Sequence, residues 1–185
     1  MVYNSNMENI VLNDLFTKEE CIELHLMVQS EMKNRPHVEI MHDENGSLIN
    51  QDDVVMIDRE NGRLMAEILP TPEHIIEKLK KVIKDNYGSC EYISTVYAEY
   101  SPSTGNPKLN GHFDQKNDTT LLDYQLHSNT VWPITIDSIN YELTDNQGVI
   151  LRPLNQYHGR PQKNFKSDEF VHMLFFFFQK PTDRD

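Results

Sequence analysis

The chain has 185 residues, 38% of them hydrophobic, and its 29 acidic and 17 basic residues give a formal net charge of −12. This length predicts one domain, residues 1–185, with a single core. The acidic charge argues against a nucleic-acid backbone or an anionic membrane surface as the partner, because both require a basic face. We expect a cytoplasmic protein, since neither a signal peptide nor an apolar run of membrane-spanning length is evident.

The N-terminal part of the chain predicts an amphipathic helix over residues 18–33. Thr17 is followed three residues later by Glu20, which is the spacing of a capping box. Apolar residues then recur every three or four positions, as on the buried face of a helix. The short apolar run 10–12 in front of this helix predicts a strand or a lead-in segment.

A polar loop and a second helix follow. Residues 42–53 are polar and rich in turn formers, so we interpret them as a loop that either faces the substrate or is disordered, with a lid as the hypothesis. Residues 72–86 show the helical period again. Thr71 is placed to cap this helix, and Pro72 suits its first position.

The rest of the chain changes to a period of two and predicts strands. The predicted strands cover residues 92–100, 119–126, 132–136, 139–143, 148–151 and 169–179. A run of short strands after two helices indicates a mainly β fold with N-terminal helices. The arrangements that fit are a sandwich, a barrel or a jelly roll with the helices packed on one face.

Three residues in this strand-rich half have the chemistry of a metal site. His112 and Asp114 are two positions apart, so on a strand they point to the same face. His158 comes from a separate, later strand. Two imidazoles and one carboxylate form the facial triad of non-haem Fe(II) oxygenases, which leaves open positions on the metal. The alternatives are three unrelated polar residues, or a bound metal without oxygenase activity.

The order of these features resembles the 2-oxoglutarate/Fe(II)-dependent dioxygenases, in particular their prolyl-hydroxylase-like members. The resemblance spans roughly residues 10–179. It is carried by Tyr100-Ser101-Pro102, His112-Phe113-Asp114, Trp132-Pro133-Ile134 and Tyr157-His158-Gly159-Arg160. It implies a double-stranded β-helix, or jelly roll, with supporting α-helices, and it implies Fe(II), 2-oxoglutarate and dioxygen. The implied reaction is hydroxylation of an aliphatic C–H of an amino acid, peptidyl residue or small metabolite, with release of succinate and CO2.

The group that holds the co-substrate departs from the family pattern. The family anchors the distal carboxylate of 2-oxoglutarate with an Arg or Lys about ten residues past the distal His, where this chain has Lys166 to Glu169. Arg160 shares the face of His158 on a regular strand, and its guanidinium suits a carboxylate. We therefore predict Arg160 and His172 as anchors, although His172 equally fits a core histidine. The remaining predicted groups are the hydroxyls of Tyr124 and Tyr92 and, as a competing anchor, Lys166.

Two other classes of function stay open from the sequence. The first is a non-catalytic β-barrel module that binds a metal or a small ligand. The second is a hydrolase on the same scaffold, either zinc-dependent or free of a cofactor. Neither a Ser-His nor a Cys-His nucleophile pattern supports the hydrolase. Cys21 and Cys90 have no metal-ligand spacing and predict no disulfide framework.

Overall fold

The computed structural model describes residues 9–41, 53–114 and 119–181. The predicted lid, residues 42–53, lies outside these ranges except for Asp53. The elements in the described ranges are β1 (Ile10–Leu12), α1 (Lys18–Asn34), β2 (His37–Glu39), β3 (Val55–Asp58), β4 (Arg63–Ala66), α2 (Glu73–Tyr87), β5 (Glu91–Tyr100), β6 (Leu109–His112), β7 (Thr119–Ser128), β8 (Ile134–Ile136), β9 (Ile139–Tyr141), β10 (Gln147–Leu151), β11 (His158–Arg160) and β12 (Val171–Gln179). No helix within them is long and apolar enough to cross a membrane.

The strands form two sheets. The larger sheet has the order β1-β10-β7-β12-β5-β4-β3-β2, and the smaller has the order β6-β11-β8-β9. Neighbouring strands are antiparallel except β2 and β3. From β5 onward the chain passes back and forth between the sheets, as in a jelly roll. The prediction of a mainly β jelly roll with N-terminal helices is confirmed.

The two helices begin in different ways. In α1, the Thr17 hydroxyl accepts a hydrogen bond from the Glu20 amide, and the Glu20 carboxylate accepts one from the Thr17 amide, so the predicted capping box is confirmed. In α2, the N-cap residue is Pro72 and no side chain caps it. The predicted Thr71 cap is wrong, because the buried Thr71 hydroxyl donates to Thr95 Oγ1 at 2.7 Å instead.

The large sheet is covered on both faces, and β12 shows how. Phe176 and Phe178 belong to the core between the sheet and the helices, together with Leu24 of α1 and Ile75 of α2. Phe175 and Phe177 pack on the other face, toward the small sheet. Because side chains alternate along a strand, this parity decides which residues can reach the interior of the jelly roll.

His172 lies on the helix-facing side of the large sheet, so its predicted inward position is wrong. Its ring contacts Tyr97 at a centroid distance of 5.8 Å and His127 at 6.3 Å. Its Nε2 lies 3.9 Å from Glu99 Oε2. Burial, with smaller contributions from His127 and His25, lowers the pKa of His172 to about 4. His172 is therefore a neutral, partly buried histidine at pH 7.

We expect the protein to lose stability as the pH falls, and His172→Phe to reduce this loss. The folded pKa of about 4 is below the ordinary 6.5, so the unfolded chain binds a proton first and the free energy of unfolding falls between pH 6.5 and 4. The contribution of His172 between pH 7 and 5 is about 1–2 kcal/mol. His25, His127, Asp145 and Glu99 face the ring and stay unchanged.

Urea unfolding of the wild type and of His172→Phe at pH 7 and pH 5 measures this difference. His74→Phe is the control, because the His74 side chain is 56% exposed. An equal pH dependence in the wild type and His172→Phe would remove His172 as the source.

Candidate metal centre

Two imidazoles and a carboxylate meet where β6 ends and β11 begins. His158 pairs directly with His112 in the β6–β11 register. Asp114 follows two residues after His112, and its amide donates to the Pro153 carbonyl at 2.9 Å, which ties it to the loop before β11. One ligand atom from each of the three residues lies within 4.8 Å of the other two. The structure thus brings together the three residues that the sequence singled out.

Each imidazole presents its Nε2 to the site. His112 Nδ1 lies 2.8 Å from the Asn110 carbonyl oxygen, and His158 Nδ1 lies 3.0 Å from that of Gln156. A carbonyl oxygen can only accept, so both Nδ1 atoms carry a proton, and each neutral imidazole keeps a lone pair on its Nε2. Backbone carbonyls commonly orient metal-binding histidines in this way.

The three donors fit one metal ion. Nε2 of His112 lies 3.4 Å, and Nε2 of His158 3.7 Å, from Asp114 Oδ1. Metal bonds of about 2.1 Å at right angles place neighbouring donors about 3 Å apart, so each of these two nitrogen–oxygen distances must shorten by less than about 1 Å. The His112 side chain is 40% exposed and that of His158 is 5% exposed, so one side of the site is open to incoming groups.

The carboxylate and the protein interior act differently on the two imidazoles. The neighbouring Asp114 carboxylate raises the pKa of His112, and burial lowers the pKa of His158. Burial thus favours the neutral form of His158, which is the form that binds a metal. The arrangement can hold a divalent cation through two nitrogens and one oxygen while leaving its other positions free.

Close contact between β6 and β11 sets the spacing of the imidazoles. A Cβ on Gly159 would lie 2.6 Å from the Leu109 carbonyl oxygen and 2.9 Å from Gly111 Cα, so glycine is needed there. The two imidazole centroids are 4.4 Å apart. On the outer face, the Tyr157 ring covers Gly111 and packs against Phe113 at 5.4 Å.

Arg160 lies inside the jelly roll with an acidic partner that the sequence did not reveal. It is 2% exposed, and its Nη2 donates to both carboxylate oxygens of Asp123, at 3.0 and 3.2 Å. Its Nη1 donates to the Trp132 carbonyl at 2.7 Å. Its Nε is buried and has no hydrogen-bond partner among the described residues. Burial raises the pKa of Asp123, and the guanidinium opposes that shift.

The other predicted co-substrate groups lie elsewhere. Tyr124 and Tyr92 pack in the core beneath the helices, where the Tyr124 hydroxyl contacts Asn146 Oδ1 at 3.2 Å. With His172, they are on the wrong face of the large sheet to meet the triad. Lys166 is exposed. The corresponding inward positions of β12, Val171 and Met173, are apolar and fully buried.

Comparison with known proteins finds similarity at the level of structure alone. No protein-family model matches the chain, and no curated protein matches it in sequence. The viral collagen prolyl hydroxylase from Paramecium bursaria Chlorella virus-1, solved with 2-oxoglutarate, superposes with a TM-score of 0.61 at 8% identity, over 96% of this chain and 98% of that one. HygX from Streptomyces hygroscopicus, solved with nickel and 2-oxoglutarate, gives 0.59 at 7% identity, over 93% and 82%.

A third solved structure is that of an enzyme with the same fold and a different reaction. The non-haem α-ketoglutarate-dependent epimerase SnoN from nogalamycin biosynthesis gives a TM-score of 0.69 at 7% identity, over 94% of this chain and 79% of that one. This chain therefore has the fold of 2-oxoglutarate-dependent oxygenases. At such low identity the likeness establishes the fold, and the same fold carries more than one reaction.

Proposed function

We propose that this protein is an Fe(II)-dependent oxygenase that consumes dioxygen and a 2-oxo acid, of which 2-oxoglutarate is the one bound by the solved neighbours. One observation carries the proposal. His112, Asp114 and His158 converge at one end of a jelly roll, with both Nε2 atoms free to bind a metal. This donor set suits non-haem iron. The shared fold adds support, because two of the solved neighbours contain 2-oxoglutarate and one of these also contains nickel.

The reaction balances as an oxidative decarboxylation coupled to hydroxylation. The 2-oxo acid, dioxygen and a substrate C–H give the carboxylic acid shorter by one carbon, CO2 and an alcohol. Bound iron would supply the redox chemistry. His112 and Asp114 would hold the ion on the open side, and His158 would fix it to the buried side. The apolar, fully buried residues Val171 and Met173 would help to keep water out of the interior of the jelly roll.

The residues fit the metal more completely than they fit 2-oxoglutarate. The unpaired Nε of Arg160 is a buried donor that an acceptor atom of the co-substrate would satisfy. The positive charge of Arg160, however, is already paired with Asp123. Proposed substrates are an amino acid, a peptidyl residue or a small metabolite that carries an aliphatic C–H.

A panel of 2-oxo acids tests the proposed function. We expect the Fe(II)-loaded full chain to release CO2 from at least one member in proportion to the dioxygen consumed, and to show a weak visible band when Fe(II) and that acid are mixed without oxygen. The panel contains 2-oxoglutarate, its 5-methyl ester, 2-oxohexanoate and pyruvate. The Zn(II)-loaded chain is the control and should be inactive.

A non-catalytic metal-binding module is the second candidate, and the paired state of Arg160 favours it. If the chain bound Fe(II) tightly but gave neither the band nor CO2 with any member of the panel, the module would replace the oxygenase. Activity with Zn(II) that is indifferent to oxygen would instead indicate a hydrolase.

A further inference from the structure

Arg160 is the one lysine or arginine that is buried in the part of the chain that the structure describes. It lies two residues after the metal-site residue His158. The central carbon of its guanidinium lies 5.2 Å from the centre of the Trp132 ring. Its neighbours in the interior include Met173, whose sulfur is 3.8 Å from Nη2. Any group that extends from the metal site into this part of the interior therefore meets this guanidinium.

The charge of Arg160 is matched within the protein. Asp123 on β7 is 2% exposed, and both of its oxygens accept from Arg160 Nη2. Two opposite charges in this geometry form a pair that is neutral as a whole. A second carboxylate beside the pair would bring an uncompensated negative charge into the interior, and burial of an unpaired charge is strongly unfavourable.

The surroundings do not compensate such a charge, because the other guanidinium that acts on the metal site, that of Arg63, is itself paired with Asp58 at 2.8 Å. Trp132 and Met173 contact Arg160, Val171 belongs to the same apolar cluster, and all three residues are at most 2% exposed. A bound Fe(II) ion cannot compensate this additional negative charge either. Its two positive charges are balanced by the carboxylate of Asp114 and by the carboxylate with which a 2-oxo acid would bind it. A dicarboxylate co-substrate thus leaves one negative charge over, and a monocarboxylate leaves none.

We propose that the Asp123–Arg160 pair makes this site select a 2-oxo acid with a single carboxylate and an uncharged distal end, in preference to 2-oxoglutarate. The unpaired Nε of Arg160 donates a hydrogen bond to the distal group, so an uncharged acceptor such as an ester or amide carbonyl is favoured over a plain alkyl end. This inference rests on the proposed function, because it concerns the co-substrate of the same site.

Binding to the Ni(II)-loaded full chain without turnover tests the selectivity. Trp132 is the single tryptophan of the chain and lies against Arg160, so its fluorescence reports on this subsite, and calorimetry gives an independent Kd. We expect wild type to bind the 5-methyl ester of 2-oxoglutarate at least about tenfold more tightly than 2-oxoglutarate, with 2-oxohexanoate between them.

Asp123→Asn keeps the size of the side chain and an acceptor oxygen but frees the charge of Arg160. We expect it to tighten 2-oxoglutarate binding at least about tenfold and to leave the ester within about threefold.

The matched control is Asp58→Asn, which removes the other aspartate–arginine pair on this side of the fold, Asp58–Arg63 at 2.8 Å. It should leave the preference unchanged. Tighter 2-oxoglutarate binding in Asp58→Asn but not in Asp123→Asn would overturn the proposal in favour of Arg63. Tighter binding of 2-oxoglutarate than of its ester by the wild type would overturn the proposal by itself. The test therefore does not depend on whether Asp123→Asn folds. Failure of every 2-oxo acid to bind, with Ni(II) bound, would count against the proposed function instead.

Discussion

Replacing Asp114 with alanine is expected to abolish CO2 release and to weaken divalent-metal binding by at least about 100-fold. Loss of groups that merely orient a ligand costs about 10–100-fold, so loss of a donor costs at least as much. Asp114 supplies the one oxygen donor of the triad, and both imidazole Nε2 atoms lie within 3.7 Å of it. Its side chain is 28% exposed, so the fold should persist. Calorimetry with Ni(II) and a CO2 assay with Fe(II) measure the two effects.

His112→Ala should give the same result, because His112 is 40% exposed and its removal leaves little cavity. Asp85→Ala and His74→Ala are the matched controls. Both residues are exposed on α2, and both variants should bind metal as the wild type does. Wild-type affinity for metal in Asp114→Ala or His112→Ala would exclude that residue as a ligand, and with it the proposed centre.

The sequence predicted most of the fold because burial on one side leaves a periodic pattern. Both helices and most strands lie within a few residues of their predicted bounds. One strand that the sequence did not predict is β4, Arg63–Ala66, which is too short for a period to be seen. The Asn61-Gly62 pair before it is a strong turn signal, and a turn of that kind implies a second strand. Gly62 does adopt the positive φ that such a turn needs.

The convergence of the three candidate metal ligands was predictable from the sequence, and the placement of the candidate co-substrate residues was not. His112 and Asp114 are two residues apart on one strand, so their common direction follows from local geometry. For His172 the phase of β12 had to be assumed, and its neighbours are apolar on both faces, so no alternation fixes which face is inward. The register of β12 against β7 also shifts after His172.

Asp123 was missed for a different reason. An isolated aspartate in a strand usually marks a solvent-facing position. Its burial makes sense only with Arg160, which lies 37 residues later and on the other sheet. Nothing in the local sequence of either residue indicates this pairing. It can be recognised only in the folded structure, where the two sheets pack against each other. Long-range pairs of buried charges are therefore the features of this site that required a structure.

Gly159→Ala is expected to weaken metal binding by about 10–100-fold although it changes no ligand. The added Cβ would lie 2.6 Å from the Leu109 carbonyl oxygen and 2.9 Å from Gly111 Cα and N. All of these are backbone atoms of the adjacent β6, so the two strands must separate, and the distance from His112 to His158 must grow with them. Overpacking of this kind also costs about 1–3 kcal/mol of stability. Ni(II) calorimetry and urea unfolding measure both losses.

Gly111→Ala provides the comparison that makes this result specific. Its Cβ meets the ring of Tyr157, which is 50% exposed and free to turn outward, so the strands need not separate. We expect near-normal metal affinity in Gly111→Ala, and recovery of any residual loss in Gly111→Ala/Tyr157→Ala. Equal loss in Gly111→Ala and Gly159→Ala would show that bulk anywhere on these strands disturbs the site. Unchanged affinity in Gly159→Ala would mean that His112 and His158 adjust independently of the strand spacing.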